Sequence, residues 1–533
     1  MSPTPKLRTP GGRWAATRLL AVVGVIALLA SGCGTGATTP NSGSSNDAAT
    51  PKRGGTLTVG TYGEMYGLDP VKADQGLLGG SQALAVYDSL MRLDDKGVPR
   101  PYLAESLTPN TDLTVWTMKL RSGVNFSDGT PLNADAVVFN VKRHLDPANA
   151  SRARANLNVV NTVVATDPLT VTFTLKTPFA SFGSLFCDQP GWIASPTAVQ
   201  KWGKDYNTHP VGAGPFVFES WTPDAQLVLN RNPNYWQKDL PYLDKLVFRP
   251  IPDGVTRLAS LKSGDIQVGP SIDAPEFKQA KADSNLSQNM IVSNGGQGII
   301  INVAKVTDVR IRQAMMLAMD KNAINTVVFD GAMPFAHGPF SPDKTWANPN
   351  DGGIWPDFNL AEAKKLMEQV KTDTGQSTFT YSLMCSNNPA RTKLAQLIQD
   401  MYKQIGITIN INMVDVTKVV SLLTSHDFDL GCHTVNAFDD PVPLLQQQFQ
   451  TGQPRNYSSY SNPKVDAAFK AAEATTDLTA QKAQYKIVNQ QLGTDLPYLF
   501  YANSLQGTIF RKNVHLDKYY GELKFYSAAA WLS

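Results

Sequence analysis

Charge, histidine and cysteine are all scarce in this 533-residue chain. Charged side chains make up 17% of it, and there are six histidines and four cysteines. The sequence has no HExxH zinc motif, no GxSxG nucleophile motif and no GxxxxGK[ST] phosphate-binding loop. It therefore offers no catalytic set, no metal site and no cofactor site, and we expect a protein that is not an enzyme.

Long apolar runs are also lacking beyond the first 30 residues. The run "LLAVVGVIALLA" follows four basic residues and no acidic ones, and it is shorter than the roughly 20 residues that a spanning helix needs. This order predicts a secretory signal peptide over residues 1–32. Its removal leaves the mature chain near −1 from a formal charge of +3, which gives no reason to expect nucleic acid as a partner.

The first residue after the predicted cleavage site is a cysteine. The ending "ASGC" resembles the lipobox of bacterial lipoproteins, which implies that Cys33 carries a lipid and anchors the protein to the outer face of the cell membrane. The residues that follow are small and polar, so we expect 33–54 to be a flexible linker. The alternative is an ordinary signal peptide with an incidental cysteine.

The body of the chain reads as strands and helices in alternation. Asn133 is placed to cap a helix whose apolar residues recur at helical spacing. In the second half, "TFTYSLMCS", "ITININMVD" and "DFDLGCHTV" each precede a helical segment. Strands that alternate with helices predict an α/β fold with a parallel sheet covered on both faces.

Several segments together resemble one family. "AESLTPNTDLTVWTMKLRSGVNFSDGTPLNADAVVFNVKR", "HPVGAGPFVFESW", "LNRNPNYW", "LKSGDIQV", "VRIRQAMMLAMDKNAI" and "DFDLGCHTVNAFDDP" occur in this order between residues 55 and 533. They are similar to the bacterial extracellular solute-binding proteins of family 5, the peptide- and nickel-binding lipoproteins of ABC importers. The resemblance implies a monomer that captures a solute and passes it to an ABC permease driven by a separate ATPase.

The family also implies an architecture, a periplasmic-binding-protein-like fold of two hinged lobes with an extra subdomain in lobe I. On this chain lobe I is expected at 55–87, 207–300 and 500–533, the extra subdomain at 88–206, and lobe II at 301–499. Such lobes close on a ligand and shield it from water.

The resemblance further implies ligand-binding residues. They are Glu64, Met65 and Tyr66 in lobe I, Asn436, Ala437, Phe438 and Asp439 in lobe II, and Asn294 and Gln297 in the backbone that links the lobes. Two charged anchors of the dipeptide-binding relatives are replaced here, by Ala437 and by Cys385. Because an unpaired buried charge is costly, we expect an oligopeptide or another small solute as the ligand. A sensor or regulatory lipoprotein that kept this fold without transport is the alternative.

Two cysteines end neighbouring strands in the predicted order. Cys385 and Cys432 could form a disulfide if their Cα atoms lie within about 7 Å. The alternative is a pair of buried, reduced thiols that pack as small apolar side chains.

Overall fold

The computed structural model describes residues 50–533, except 74–75, 77, 95, 348–352 and 517–523. The predicted signal peptide and Cys33 lie outside the described residues. The strands are β1 Thr56–Thr61, β2 Met91–Leu93, β3 Pro99–Pro101, β4 Ala104–Pro109, β5 Val115–Leu120, β6 Val160–Asp167, β7 Thr170–Leu175, β8 Phe216–Thr222, β9 Gln226–Arg231, β10 Lys245–Pro250, β11 Val268–Ser271, β12 Leu286–Ile301, β13 Phe379–Ser386, β14 Ile407–Val414, β15 Leu430–Phe438, β16 Tyr498–Arg511, β17 Val514–His515 and β18 Trp531–Leu532. The α-helices are α1 Gly80–Tyr87, α2 Ala134–Leu145, α3 Arg154–Leu157, α4 Phe182–Leu185, α5 Pro196–Trp202, α6 Gly254–Ser263, α7 Ala274–Lys281, α8 Val309–Leu317, α9 Lys321–Phe329, α10 Leu360–Thr374, α11 Pro389–Lys403, α12 Val416–Thr424, α13 Pro441–Phe449, α14 Pro463–Glu473 and α15 Leu478–Asp495.

A ten-stranded sheet runs through the molecule in the order β14-β13-β15-β12-β16-β11-β1-β10-β9-β8. β13 pairs in parallel with both β14 and β15, as the alternation of strands and helices predicts. β1 is likewise parallel to β10 and β11. The expected α/β class is confirmed. The parallel units predicted in the second half of the chain form one side of the sheet, and β1, β10 and β11 form the other.

The two longest strands, β12 and β16, join the two sides of this sheet. β12 pairs antiparallel with β15 through its second half and with β16 along nearly its whole length. β16 then pairs antiparallel with β11 through its last residues. β15 and β11 therefore run in opposite directions, and the carboxyl ends of the parallel strands on each side point toward those on the other.

A second sheet, in the order β4-β5-β7-β6, is antiparallel and lies against α2. Asn133 caps α2 as predicted, because its side-chain oxygen accepts a hydrogen bond of 3.0 Å from the N–H of Ala136. The apolar residues of "GSQALAVYDSLMRL" predict a helix over 80–93, and this prediction is wrong at its end. α1 stops at Tyr87, and residues Met91–Leu93 form β2, which pairs with β3.

Three apolar cores lie beneath these sheets. One lies around β1, β10 and α1, a second fills the antiparallel sheet and α2, and a third fills the side of β13–β15. Leu258 and Phe277, on α6 and α7, belong to the third core, although the predicted lobe I includes them. The lobe boundaries therefore stay a prediction.

Candidate functional site

The opposing carboxyl ends of the two sets of strands make the candidate site. On one side β1, β10 and β11 end at Thr61, Pro250 and Ser271. On the other β13 and β15 end at Ser386 and Phe438. Ligands of open α/β sheets bind outside such ends. The candidate site therefore lies where β12 and β16 pass from one side of the sheet to the other.

The backbone crossing is fixed around Asn294 and Gly295. The Asn294 side chain donates to the carbonyl of Phe438 at 3.0 Å and accepts from the N–H of Ser341 at 3.0 Å. It is 1% exposed, so in this structure it holds the end of β15 in place. Gly295 has φ +88°, and a Cβ there would lie 2.5 Å from the carbonyl oxygen of Val435. Only glycine fits this close approach.

The predicted lobe I residues lie just after β1. Glu64 accepts hydrogen bonds from Trp221 Nε1 at 3.1 Å and from the N–H of Asp224 at 2.6 Å, both on the β8–β9 hairpin, and from the N–H of Met65 at 3.0 Å. Met65 is buried, and Tyr66 is exposed with the Arg152 guanidinium 4.1 Å from its ring centre. Three acceptor positions of the Glu64 carboxylate are thus occupied by the protein.

The space beside Glu64 is small. A cavity of about 10 Å³ is lined by Thr61, Glu64, Met65 and Gln82 among others, which is room for about one water molecule. This cavity is too small to hold a peptide side chain.

The predicted lobe II residues follow one another at the end of β15. Asn436 is exposed and Ala437 is half-buried. Phe438 is buried, with its ring edge-on to Phe340 at 6.0 Å between centres. The backbone oxygen of Asp439 accepts a hydrogen bond from Trp346 Nε1.

Gln297 belongs to a polar cluster that spans several elements. The Arg391 guanidinium, in the first turn of α11, donates to Tyr501 Oη on β16 at 2.9 Å and to Thr434 Oγ1 on β15 at 3.2 Å. Tyr501 Oη in turn donates to Gln297 Oε1 on β12 at 3.5 Å. Four elements therefore place their polar groups together beside the crossing strands.

Arg391 and Tyr501 were missed by the sequence analysis. A sequence signal for Arg391 did exist, since it lies in the first turn of a helix after a strand end, where Asn388 accepts from its N–H. Tyr501 sits in an apolar strand and carries no such signal.

The two cysteines of the predicted pair lie on neighbouring strands. β13 and β15 pair in parallel at Leu383–Leu430 and Met384–Gly431, one residue before the cysteines. The structure joins Cys385 and Cys432 in a disulfide, with 4.8 Å between their Cα atoms. This crosslink ties together the two strands whose ends face the crossing.

A half-buried carboxyl group lies next to the predicted Asp439. Asp440 caps α13 through the N–H of Val442 and accepts a hydrogen bond of 2.7 Å from Ser184 Oγ. Burial raises the pKa of Asp440 to about 6 against these hydrogen bonds, which lower it. It is thus a titratable contact between β15's end and residues 88–206.

Other features that could indicate a function were searched in the same residues. No group of three or more potential metal ligands occurs within the described part of the chain. Over the same residues, none of the helices combines the length and apolar character required to cross a bilayer.

Comparison with known proteins agrees with this architecture. Residues 98–456 match the model of the middle region of the bacterial extracellular solute-binding proteins, family 5. The glutathione-binding protein GsiB of Shigella flexneri serotype 5b (strain 8401) is 30% identical over 448 residues, which cover 81% of this chain and 86% of that protein.

Two solved structures show the same fold. The oligopeptide-binding protein AppA of Bacillus subtilis, in complex with a nonapeptide, has a TM-score of 0.75 at 24% identity, covering 91% of this chain and all of that one. The ABC transporter substrate-binding protein CtaP of Listeria monocytogenes has a TM-score of 0.78 at 23% identity, covering 90% of this chain and all of that one. The family model matches residues 98–456, and the opposed strand ends joined by two long strands agree with it. This chain therefore belongs to the bacterial extracellular solute-binding proteins of family 5.

Proposed function

We propose that this protein captures a small peptide between two lobes and delivers it to an ABC permease that is driven by a separate ATPase. The observation that carries the proposal is the pair of opposed strand ends joined through β12 and β16, in a member of family 5. Lobes joined by two strands can hinge there, and both faces contact a ligand only when they close. The chain acts by binding and performs no catalysis.

We assign the moving bodies as the sequence predicts. Lobe I comprises 55–87, 207–300 and 500–533, carries 88–206 as the extra subdomain, and closes against 301–499. The hinge lies where β12 and β16 pass between the two lobes, near Asn294, Gly295 and Asn503. Gly295 supports this position because its positive φ interrupts the register of β12.

Glutathione is the first ligand to test. A relative at 30% identity is named for binding it, and a more distant one has been solved with a nonapeptide. The side chains at 385 and 437 give a dipeptide no charged anchor, because one is a disulfide sulfur and the other a methyl group. A peptide longer than two residues is therefore the better fit.

We also propose that the chain is a monomeric lipoprotein on the outer face of the cell membrane. "ASGC" places the cut before Cys33, and lipid chains are a sufficient anchor when two or more are present. Metabolic labelling with a radioactive fatty acid should mark the wild type and leave Cys33→Ser unlabelled. Label retained by that variant would refute the anchor.

The function is tested by calorimetry on the mature protein. Glutathione, tri- to nonapeptides and a dipeptide are titrated, and ligand released by acid from freshly purified protein is identified by mass spectrometry. We expect micromolar or tighter binding of glutathione or a longer peptide, and at least tenfold weaker binding of the dipeptide. A protein that binds none of them and carries no small molecule would contradict transport and favour the sensor alternative.

A further inference from the structure

Arg391 places a positively charged guanidinium near the candidate site, and a peptide ligand carries a negatively charged carboxylate. It follows β13 at the start of α11, where Asn388 fixes the first turn. Its side chain is half-buried and reaches across the sheet to Tyr501 and Thr434. The guanidinium therefore lies on one face of the sheet beside the crossing strands.

The hydrogen-bonding capacity of Arg391 is only partly used. A guanidinium has five N–H donors, and the two bonds found here go to neutral hydroxyl oxygens. No carboxylate of the described residues forms an ion pair with it. The contrast is Arg312, which is 7% exposed and donates to backbone carbonyls of Val306, Thr307 and Asp495.

The surroundings of Arg391 carry positive charge. The pKa of half-buried His433 falls to about 4 because of burial and because Arg391 and Arg455 lie near it. Tyr501 also lines a depression together with Lys321, whose ammonium donates to the carbonyl of Ala336 at 2.8 Å. A field of this sign favours an anion over another cation.

The geometry of the hydroxyl groups suits a planar anion. Tyr501 is 1% exposed, and it holds one edge of the guanidinium while its own proton goes to Gln297. A guanidinium that is held in this way offers its remaining N–H groups as a fork, which matches the two oxygens of a carboxylate. A lysine in the same place would supply charge without that geometry.

We propose that Arg391, oriented by Tyr501 and Thr434, binds a carboxylate of the captured solute. The inference rests on the proposed function, since it names the chemical class of ligand that the same site takes. It implies that peptides with a free carboxylate are preferred over their amides, and that Tyr501 and Thr434 act as positioning residues.

The test compares one tripeptide in two forms on matched variants. Ala-Ala-Ala and its C-terminal amide differ only in the carboxylate, and glutathione serves as a second acidic probe. Affinities are measured for wild type, Arg391→Met, Arg391→Lys and Arg455→Met, the last removing an exposed neighbouring charge. Thermal unfolding of each variant reports whether it folds.

We expect wild type to bind the acid at least tenfold more tightly than the amide. Arg391→Met should weaken acid and glutathione binding by about 10- to 100-fold, as for loss of a charged hydrogen bond, and leave amide binding within threefold. Arg391→Lys should restore part of the loss, and Arg455→Met should change both forms equally and by less than threefold. Unaltered acid binding by folded Arg391→Met and Arg391→Lys would overturn the inference alone, whereas a wild type that binds none of the probes would overturn the peptide function with it.

Discussion

Ser184 Oγ donates a hydrogen bond of 2.7 Å to Oδ2 of Asp440, which lies 256 residues further along the chain. The contact joins the subdomain side to the start of α13, directly after the predicted ligand residue Asp439. Val442, two residues on, is 2% exposed and packs in the core formed by residues 90–213. Val442 and the Asp440 carboxyl group therefore help to hold the end of β15 against residues 88–206.

The first prediction concerns the pH dependence of this contact. Burial raises the pKa of Asp440 from its ordinary value of 3.8 to about 6, and the neighbouring Asp439 carboxylate acts in the same direction. The pKa of Glu473 is also raised, mainly by burial and further by Asp440. A raised pKa means that the folded protein holds this proton more tightly than a solvated carboxyl does. The contribution of the contact to folding stability is therefore complete below the ordinary pKa of 3.8 and is lost as the pH rises through 6.

Asp440→Asn removes the titration and keeps an oxygen for the bonds from Ser184 and Val442. We expect the variant to unfold at a higher temperature than wild type at pH 8 and at the same temperature near pH 3, below the ordinary pKa of 3.8. Asp427→Asn, whose side chain is 77% exposed, is the control. Its unfolding temperature should differ from that of wild type by the same small amount at both pH values. If the unfolding temperatures of Asp440→Asn and wild type differ by the same amount at both pH values, this carboxyl does not titrate as its burial implies.

The second prediction concerns Val442. Truncation to alanine removes two buried carbons, at about 0.8 kcal/mol each, so Val442→Ala should lower the free energy of unfolding by roughly 1.5 kcal/mol. If residues 88–206 separate from lobe II when the lobes open, the same loss should weaken ligand binding by about tenfold. Val255→Ala, at a side chain that is 78% exposed, should change both quantities little. Unchanged affinity with the expected loss of stability would place Val442 outside the moving interface.

How far the sequence predicts this fold depends on the range of the contacts. The segment "TFTYSLMCS" predicts a strand at 378–386, and the structure has β13 at Phe379–Ser386, because local periodicity and a following helix cap determine both ends. The failure after Tyr87 has a non-local cause, since the N–H groups of Leu90 and Met91 donate to the carbonyls of Gly191 and Phe186, about 100 residues later. The lengths of β12 and β16 likewise depend on each other across about 200 residues.

The candidate site is harder to predict for the same reason. Glu64 follows the carboxyl end of β1, but its partners are Trp221 and Asp224, about 160 residues away. Arg391 gains its position from Tyr501, 110 residues later. A sequence shows which residues end strands, but the folded sheet decides which of them already have partners.

The third prediction concerns the disulfide. Cys385 and Cys432 are 47 residues apart, and closing a loop of that size should stabilise the fold by about 4 kcal/mol in the chain-entropy account. The double variant Cys385→Ala, Cys432→Ala should lose about this much in denaturant unfolding. Peptide mapping without reductant should recover the two cysteines in one crosslinked fragment.

The third cysteine of the described residues provides the control for this prediction. Cys187 is buried, and Cys187→Ala should keep the destabilisation that dithiothreitol causes, because the crosslinked pair is still present. Separate peptides for Cys385 and Cys432 under non-reducing conditions would show that the native protein holds two thiols instead.

The last prediction decides between two roles for Glu64. The resemblance assigns it to a ligand amine, whereas the structure gives its oxygens to the N–H groups of Trp221, Asp224 and Met65. Glu64→Gln replaces one acceptor oxygen by a donor next to these groups, so it should lower the free energy of unfolding by about 1–3 kcal/mol and change the emission of Trp221. Ligand affinity should fall equally for a peptide with a free amine and for its N-acetylated form, because neither loses a direct ion pair. A selective loss for the free amine, with stability unchanged, would return Glu64 to the ligand and mean that its bonds to the β8–β9 hairpin break when peptide binds.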